Sequence, residues 1–172
     1  MSFNIELKAR CSNLELFEQK VLQLPHTFDG LDRQTDTFYM VPKGHLKLRE
    51  SSLYGNFLIP YLRPDQDGPK RSDYSLLAVT DLAATKHLLE EMFGILLSVK
   101  KVRKIYRYEN VRIHLDQVEK LGDFIEFEAV IEEEAEIFAS QRKLHKLIRY
   151  FELKEDALIA KAYADLLLKQ NS

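Results

Sequence analysis

Charged and apolar residues alternate strictly along several short stretches of the chain. Near the N-terminus Ile5, Leu7 and Ala9 alternate with Asn4, Glu6, Lys8 and Arg10. Leu46 and Leu48 alternate with Lys47 and Arg49, Leu62 separates Tyr61 from Arg63, and Val102 separates Lys101 from Arg103. Further on, Val111, Ile113 and Leu115 alternate with Arg112, His114 and Asp116, and Ile125 and Phe127 with Glu126 and Glu128. Side chains on a strand point to opposite faces with period two, so each stretch predicts a strand with one apolar and one ionic face.

Helical spacing is confined to four segments. Ser12 and Glu15 have the spacing of a capping box, and Leu14, Phe17, Val21 and Leu24 then recur on one face until Pro25. A second helix is expected from about Asp81, burying Leu82, Leu88, Leu89 and Met92 and ending at Gly94. A third is expected over about Glu133 to Tyr150 and a fourth over about Asp156 to Leu168. Gly44, Gly55, Gly68 and Gly122 fall between strand-like runs, and Gly30 and Gly94 follow helical ones. The expected class is α+β.

Any one of these strands, taken alone, fits a half-exposed antiparallel sheet with its ionic face in water. Taken together they fit an inside-out barrel better. Solvent faces mix Thr, Ser and Gln with charge, whereas nearly every polar-face position here is Arg, Lys, Glu or Asp. The helices supply apolar faces to cover the outside. The lumen of such a barrel must be paired and hydrated, because an isolated buried charge is very costly.

Composition narrows the function. The 172 residues, 45% hydrophobic and 30% charged, are ordinary for one soluble domain spanning residues 1–172. A formal net charge of -2 argues against bulk electrostatic binding of nucleic acid, so any anion site must be local. The first residues become charged too soon for a signal core, and no apolar run approaches the ~20 residues of a membrane helix. The expected location is the cytoplasm, with no membrane partner. Cys11 is the single cysteine, which excludes an internal disulfide and, with no Cys/His arrangement beside it, predicts an inert thiol.

In the barrel, Lys8, Arg10, Lys47, Arg49, Arg63, Lys101, Arg103 and Arg112 would converge on a small volume, and a polyanion would relieve their repulsion. Arg forks match phosphate oxygens and Lys serves as a point charge. Glu6, Asp116, Glu126 and Glu128 offer hard oxygen ligands suited to Mg²⁺ or Mn²⁺. The pattern points to a metal-bound polyphosphate as the small-molecule ligand. Neither GxxxxGK[ST] nor GxGxxG occurs, which argues against Walker-type and Rossmann enzymes. His114 lacks a second histidine at metal spacing and reads as a structural or anion-contacting residue, with proton transfer as the alternative. The acidic run Glu132 to Glu136 reads as a solvated helix start.

The same residues resemble the CYTH superfamily, which groups class IV adenylyl cyclases with thiamine triphosphatases and other triphosphate tunnel enzymes. Asn4-Ile5-Glu6-Leu7-Lys8 is similar to that family's N-terminal ExExK strand, and Gln34-Thr35-Asp36-Thr37-Phe38-Tyr39 to its QxDTYF strand. Leu46-Lys47-Leu48-Arg49, Tyr61-Leu62-Arg63-Pro64-Asp65 and Lys101 with Arg103 before Tyr106 resemble successive strands. Arg112-Ile113-His114-Leu115-Asp116 and Phe124-Ile125-Glu126-Phe127-Glu128 resemble the closing strands, and Ala162-Tyr163-Ala164-Asp165-Leu166-Leu167 the C-terminal SYxDLL segment. One such motif is weak, but their order and spacing across nearly the whole chain are specific.

The resemblance implies a closed, eight-stranded antiparallel β-barrel, a triphosphate tunnel with helices packed outside. It implies Glu6, Glu126 and Glu128 at or beside the metal and Lys8, Lys47, Arg49, Arg63, Lys101 and Arg103 on the phosphates. Asp116 would help the metal or orient the attacking group, with Lys8 beside it as a catalytic candidate. A homodimer is also implied. Asn4 departs from the family's first Glu and removes one anionic ligand, which bears on the number of metals. Three activities remain open: cyclisation of ATP, hydrolysis of thiamine triphosphate, another nucleoside triphosphate or tripolyphosphate, and polyphosphate binding without turnover.

Overall fold

A computed structural model describes residues 2–62 and 70–170; Arg63, Gly68 and the Pro64-Asp65 part of the fourth-strand motif lie outside the described residues. The strands are β1 (Ser2–Arg10), β2 (Thr27–Tyr39), β3 (His45–Ser51), β4 (Gly55–Leu62), β5 (Lys70–Tyr74), β6 (Leu77–Ala78), β7 (Ile95–Tyr108), β8 (Val111–Val118) and β9 (Gly122–Ile131). The helices are α1 (Leu14–Leu22), α2 (Leu82–Phe93), α3 (Ile137–Tyr150) and α4 (Tyr163–Gln170). Among the described residues, no helix is long and apolar enough to cross a membrane.

Among the described residues nine strands join one antiparallel sheet in the order β3-β2-β7-β8-β9-β1-β5-β4-β6, with β6 only two residues long. The sheet curls, and β3 pairs with β4 along its whole length, from His45↔Tyr61 to Ser51↔Gly55. The α+β class and the antiparallel pairing expected from the alternation are therefore present.

The main core lies on the convex side. Ile5, Leu7 and Ala9 of β1, Ile113 and Leu115 of β8 and Ile125, Phe127 and Ala129 of β9 are buried against Val21 of α1 and Leu144 and Leu147 of α3. These are the apolar members of the alternating stretches, so their ionic neighbours face the concave side. A smaller cluster, Tyr39, Leu48 and Leu89, seats α2 on β2 and β3. At one end of the sheet Phe38, Val99, Val118, Leu121 and Phe124 pack around Tyr163, Ala164 and Leu167 of α4.

Four local expectations need correction. Helix α1 is capped by Asn13, not Ser12: Asn13 is extended and its side chain accepts from the Leu16 N–H at 3.0 Å. In α2, Asp81 caps as expected, but Leu88 and Met92 are 57% and 70% exposed. Leu82, Leu89 and Phe93 are the residues that meet the sheet, and Leu88 lies about 100° round the helix from Leu89. The last helix begins at Tyr163, because the chain before it is drawn onto β1 by the Ala9↔Leu158 bridge and the Ile159 N–H to Lys8 carbonyl bond. Gly30 follows no helix: it sits in β2 at a register shift, with φ +138°.

Phe127 is fully buried in the main core, with its ring 5.3 Å from that of Phe151. Phe127→Ala is expected to cost about 3–5 kcal/mol in denaturant unfolding. A loss under about 1 kcal/mol would show that this side of the sheet is not the main core.

Candidate functional site

The concave side encloses a cavity of about 410 Å³. Its wall takes Glu6 and Lys8 from β1, Lys47 and Arg49 from β3, Lys101 and Arg103 from β7, Arg112 and His114 from β8, and Glu126 and Glu128 from β9. Each sits at the ionic parity of its strand, and the register brings them level: Lys8 faces Glu126 and Glu6 faces Glu128 across β1–β9, and Arg112 faces Glu128 across β8–β9.

Asp36 of β2, directly across from Arg49, organises the cationic wall. Arg49 grips it with two bonds of 2.7 Å, from Nε to Oδ1 and from Nη2 to Oδ2. Lys47 and Lys101 approach Asp36 Oδ2 at 3.2 and 3.0 Å. Burial alone would raise the Asp36 carboxyl, but Arg49, Lys101 and Lys47 together hold it well below the usual range. One carboxylate cannot balance three cations. Burial, together with the repulsion of Arg49, lowers Lys47 to about 8, against the pull of Asp36. Burial likewise lowers Lys101 to about 7, where Asp36 supports its charge and Arg49, Arg103 and Lys47 oppose it. This wall carries more positive charge than its own carboxylate satisfies.

The adjoining part of the wall is more evenly paired. Arg103 binds Asp116 through Nε–Oδ1 and Nη2–Oδ2 bonds of 2.6 Å and reaches Glu126 at 3.4 Å. Tyr163 of α4 donates to Asp116 Oδ2 at 2.7 Å, and the Lys8 ammonium stands 4.0 Å over the Tyr163 ring. Burial pushes the Tyr163 hydroxyl well above its usual range, and the Asp116 and Glu126 charges push it further, so it remains a donor. Burial would raise Glu126 too, yet Arg103, Lys8 and His114 hold it well below the carboxylate range. His114 lies between two carboxylates, with Nδ1 3.7 Å from Glu126 and Nε2 3.8 Å from Glu128. Asn4 donates its amide to Glu128, a contact that a glutamate in its place could not make while ionised.

The CYTH domain profile matches residues 2–163. The chain belongs to the CYTH domain family. It is 24% identical over 152 residues to a protein of Methanocaldococcus jannaschii named provisionally as an adenylate cyclase, covering 87% of this chain and 83% of that one. A solved structure from Pyrococcus horikoshii superposes with a TM-score of 0.80 at 27% identity, covering 96% of this chain and 99% of the other. Another from Vibrio parahaemolyticus, also provisionally named an adenylate cyclase, gives 0.78 at 25% identity, covering 96% and 98%.

In this CYTH domain two of the expected site residues stand apart from the cavity. Arg10 is exposed, bonded to the Leu121 carbonyl at 3.3 Å and lying 5.1 Å over the Phe124 ring. Asp116 is fully buried behind Arg103 and Tyr163, placed to orient Arg103. Residues not named for the site from alternation are also in the wall: Asn4, Gln34, Asp36 and Tyr163. The same parity rule reaches Gln34 and Asp36, but β2 is polar on both faces there, with Thr35 between them and Thr37 following, so no apolar face fixed the parity. Nothing in helical periodicity distinguishes Tyr163 from a core residue. Cys11 is buried, and burial raises its thiol, in keeping with an inert role.

Among the described residues, no three His, Cys, Asp or Glu side chains already converge as a metal cluster. Glu6 and Glu128, cross-strand neighbours in the cavity wall, are the carboxylates that could take a Mg²⁺-like ion through one or two oxygens, with phosphate supplying the rest.

An anion entering between Lys47 and Lys101 favours their charged forms and raises both from about 8 and about 7. Binding should therefore take up protons at pH 8, and affinity should fall as pH rises through this range. Calorimetry of tripolyphosphate in buffers of different ionisation enthalpy reads the uptake. Lys101→Arg, which stays charged, should reduce it; equal uptake by both proteins would contradict the assignment.

Proposed function

We propose that this CYTH domain binds an organic triphosphate in its cavity and, with Mg²⁺ or Mn²⁺, cleaves a phosphoanhydride bond. The observation that carries this reading is the gathering of Lys47, Arg49 and Lys101 on the single carboxylate of Asp36, a wall left with unbalanced positive charge. Phosphate oxygens supply that missing negative charge and match the Arg fork. The reading takes the curled sheet as a closed eight-stranded tunnel, supported by the pairing of β3 with β4.

Lys8, Lys47, Arg49, Lys101, Arg103 and Arg112 would hold the phosphate chain, and Glu6 and Glu128 would hold the metal, with Glu126 beside them. A divalent ion held by Glu6 and Glu128 would supply neutralisation of phosphate charge. The protein's own part is orientation and fixed positive charge in a recessed, partly buried site. Asp116 and Tyr163 hold the Arg103 fork in place, and Asn4 holds Glu128. The favoured reaction is conversion of ATP to cyclic AMP and pyrophosphate, supported by the provisional names of the Methanocaldococcus and Vibrio relatives. Hydrolysis of a triphosphate is the second reading. It is supported by the cationic wall, whose grip on a phosphate chain requires no organic group.

Incubation with Mn²⁺ and ATP, thiamine triphosphate or tripolyphosphate should give a metal-dependent product, cyclic AMP for cyclisation or free phosphate for hydrolysis. Arg49→Ala should lower kcat/KM by about 100-fold or more. Glu128→Ala should abolish the metal-dependent turnover. Unchanged substrate in every incubation would remove the enzymatic claim, and full activity in Arg49→Ala would remove that side chain from the phosphate site.

A further inference from the structure

The cavity is closed by α4 at one end, where Ala162 and Tyr163 are buried, and opens where Tyr54 and Leu76 are 54% and 55% exposed. Toward that opening the wall changes character. Gln34, Ser51, Tyr54 and Phe57 line it there, and Phe57 lies directly across from Arg49.

One residue behind the wall organises this region. Asp32 is fully buried. Burial would raise its carboxyl, but hydrogen bonds from Gln34, Ser51, Leu53 and Ser52 lower it, so it is ionised and can only accept. It accepts from Gln34 Nε2 at 2.6 Å, Ser51 Oγ at 2.7 Å, and the Ser52 and Leu53 N–H groups at 2.9 and 3.2 Å. A second bond from Ser52 Oγ is 3.0 Å long.

Two consequences follow from this single carboxylate. The Gln34 amide must turn its NH₂ group to Asp32, which fixes the identity of the other atom as the carbonyl. That Oε1 is buried and has no hydrogen-bond partner among the described residues. The same carboxylate pins the turn that carries Tyr54 and leads into Phe57. Leu53 of this turn packs over Gly30, where a Cβ would come within 2.9 Å of Leu53 Cδ1.

A bare phosphate chain uses neither feature. Its oxygens are acceptors, so they cannot satisfy Gln34 Oε1, and aromatic rings add nothing to the binding of an inorganic anion. An O–H or N–H donor satisfies the first and a planar ring stacks on the second.

We propose that Asp32 builds a separate subsite, in which Gln34, Tyr54 and Phe57 receive the organic part of the triphosphate, a planar aromatic group with hydrogen-bond donors such as a nucleoside. This rests on the reading that the cations behind it hold the phosphates. Asp32 is a positioning residue: it acts through Gln34 and the turn. The donor for Gln34 is a sugar hydroxyl or amino group of the ligand, and water is the competing source.

The test is equilibrium binding of ATP and of tripolyphosphate, each by calorimetry in EDTA so that metal-dependent turnover is suppressed. Tyr54→Ala and Gln34→Met, the latter keeping the length but losing both the acceptor and the donor to Asp32, are measured beside the unaltered protein. Thermal melting checks that each variant is folded. ATP affinity should fall about 10- to 100-fold in each variant, through a lost base stack in Tyr54→Ala and an unsatisfied ligand donor in Gln34→Met. Tripolyphosphate affinity should stay within about twofold. Asp32→Asn, if folded, should lose at least as much for ATP. Parallel losses for both ligands, as expected if Gln34 binds a water beside the phosphates, would overturn the proposal, as would unchanged ATP binding. Failure of the unaltered protein to bind tripolyphosphate both in EDTA and with Mn²⁺ present would instead overturn the triphosphate reading, and this one with it.

Discussion

Like charge held at close range is the constraint around which this molecule is arranged. Lys47, Arg49 and Lys101 meet on Asp36, and burial, aided by the repulsion among these cations and only partly offset by Asp36, lowers the lysines to about 8 and about 7. Such a group of buried cations is destabilising by itself. It persists because the rest of the sheet over-determines it: Arg49 sits on β3, Asp36 on β2 and Lys101 on β7, three adjoining strands whose register leaves these side chains no other face.

The stabilising counterpart lies on the other face of the same strands. Leu48 between Lys47 and Arg49, and Ile125 and Phe127 beside Glu126 and Glu128, are completely buried under helices. Turning any of these strands over would place leucine and phenylalanine in a charged cavity and lysine and glutamate in an apolar core. A one-residue slip in pairing has the same effect. The apolar exterior therefore holds the ionic interior in place, and the position of the site is a consequence of where the core is.

Within the cavity the charges are not interchangeable. Positive charge is in excess around Asp36, while Arg103, Asp116, Glu126 and Tyr163 form a closed network and Asn4, Arg112 and Glu128 a second one. The unbalanced side suits the phosphates and the carboxylate side suits a divalent ion, so one cavity can hold the two oppositely charged parts of a metal–triphosphate complex. Two carboxylates hold protein groups in place from behind: Asp116 fixes Arg103, and Asp32 fixes Gln34 and the turn before β4.

The sequence alone determined most of the strands, their parity and most of the charged wall, but not β5 or β6. Period-two alternation of Leu or Ile with Lys, Arg or Glu is a local property, and it assigned Lys8, Lys47, Arg49, Lys101, Arg103, Glu126 and Glu128 to one face. It also assigned Arg10 there, because parity gives a face but not a depth along it, and Arg10 lies beyond the end of the cavity. Asp116 has the right parity too, but only the packing of Tyr163 over it decided that it supports the wall instead of lining it. Asp36 and Gln34 sit in a strand polar on both faces, where no apolar partner fixed which side is in. Asp32 acts through the turn that joins β3 to β4, and Tyr163 through Asp116, 47 residues away in the chain; such pairings are set by strand register and by where α4 lands. Those are properties of the tertiary structure, decided by long-range packing.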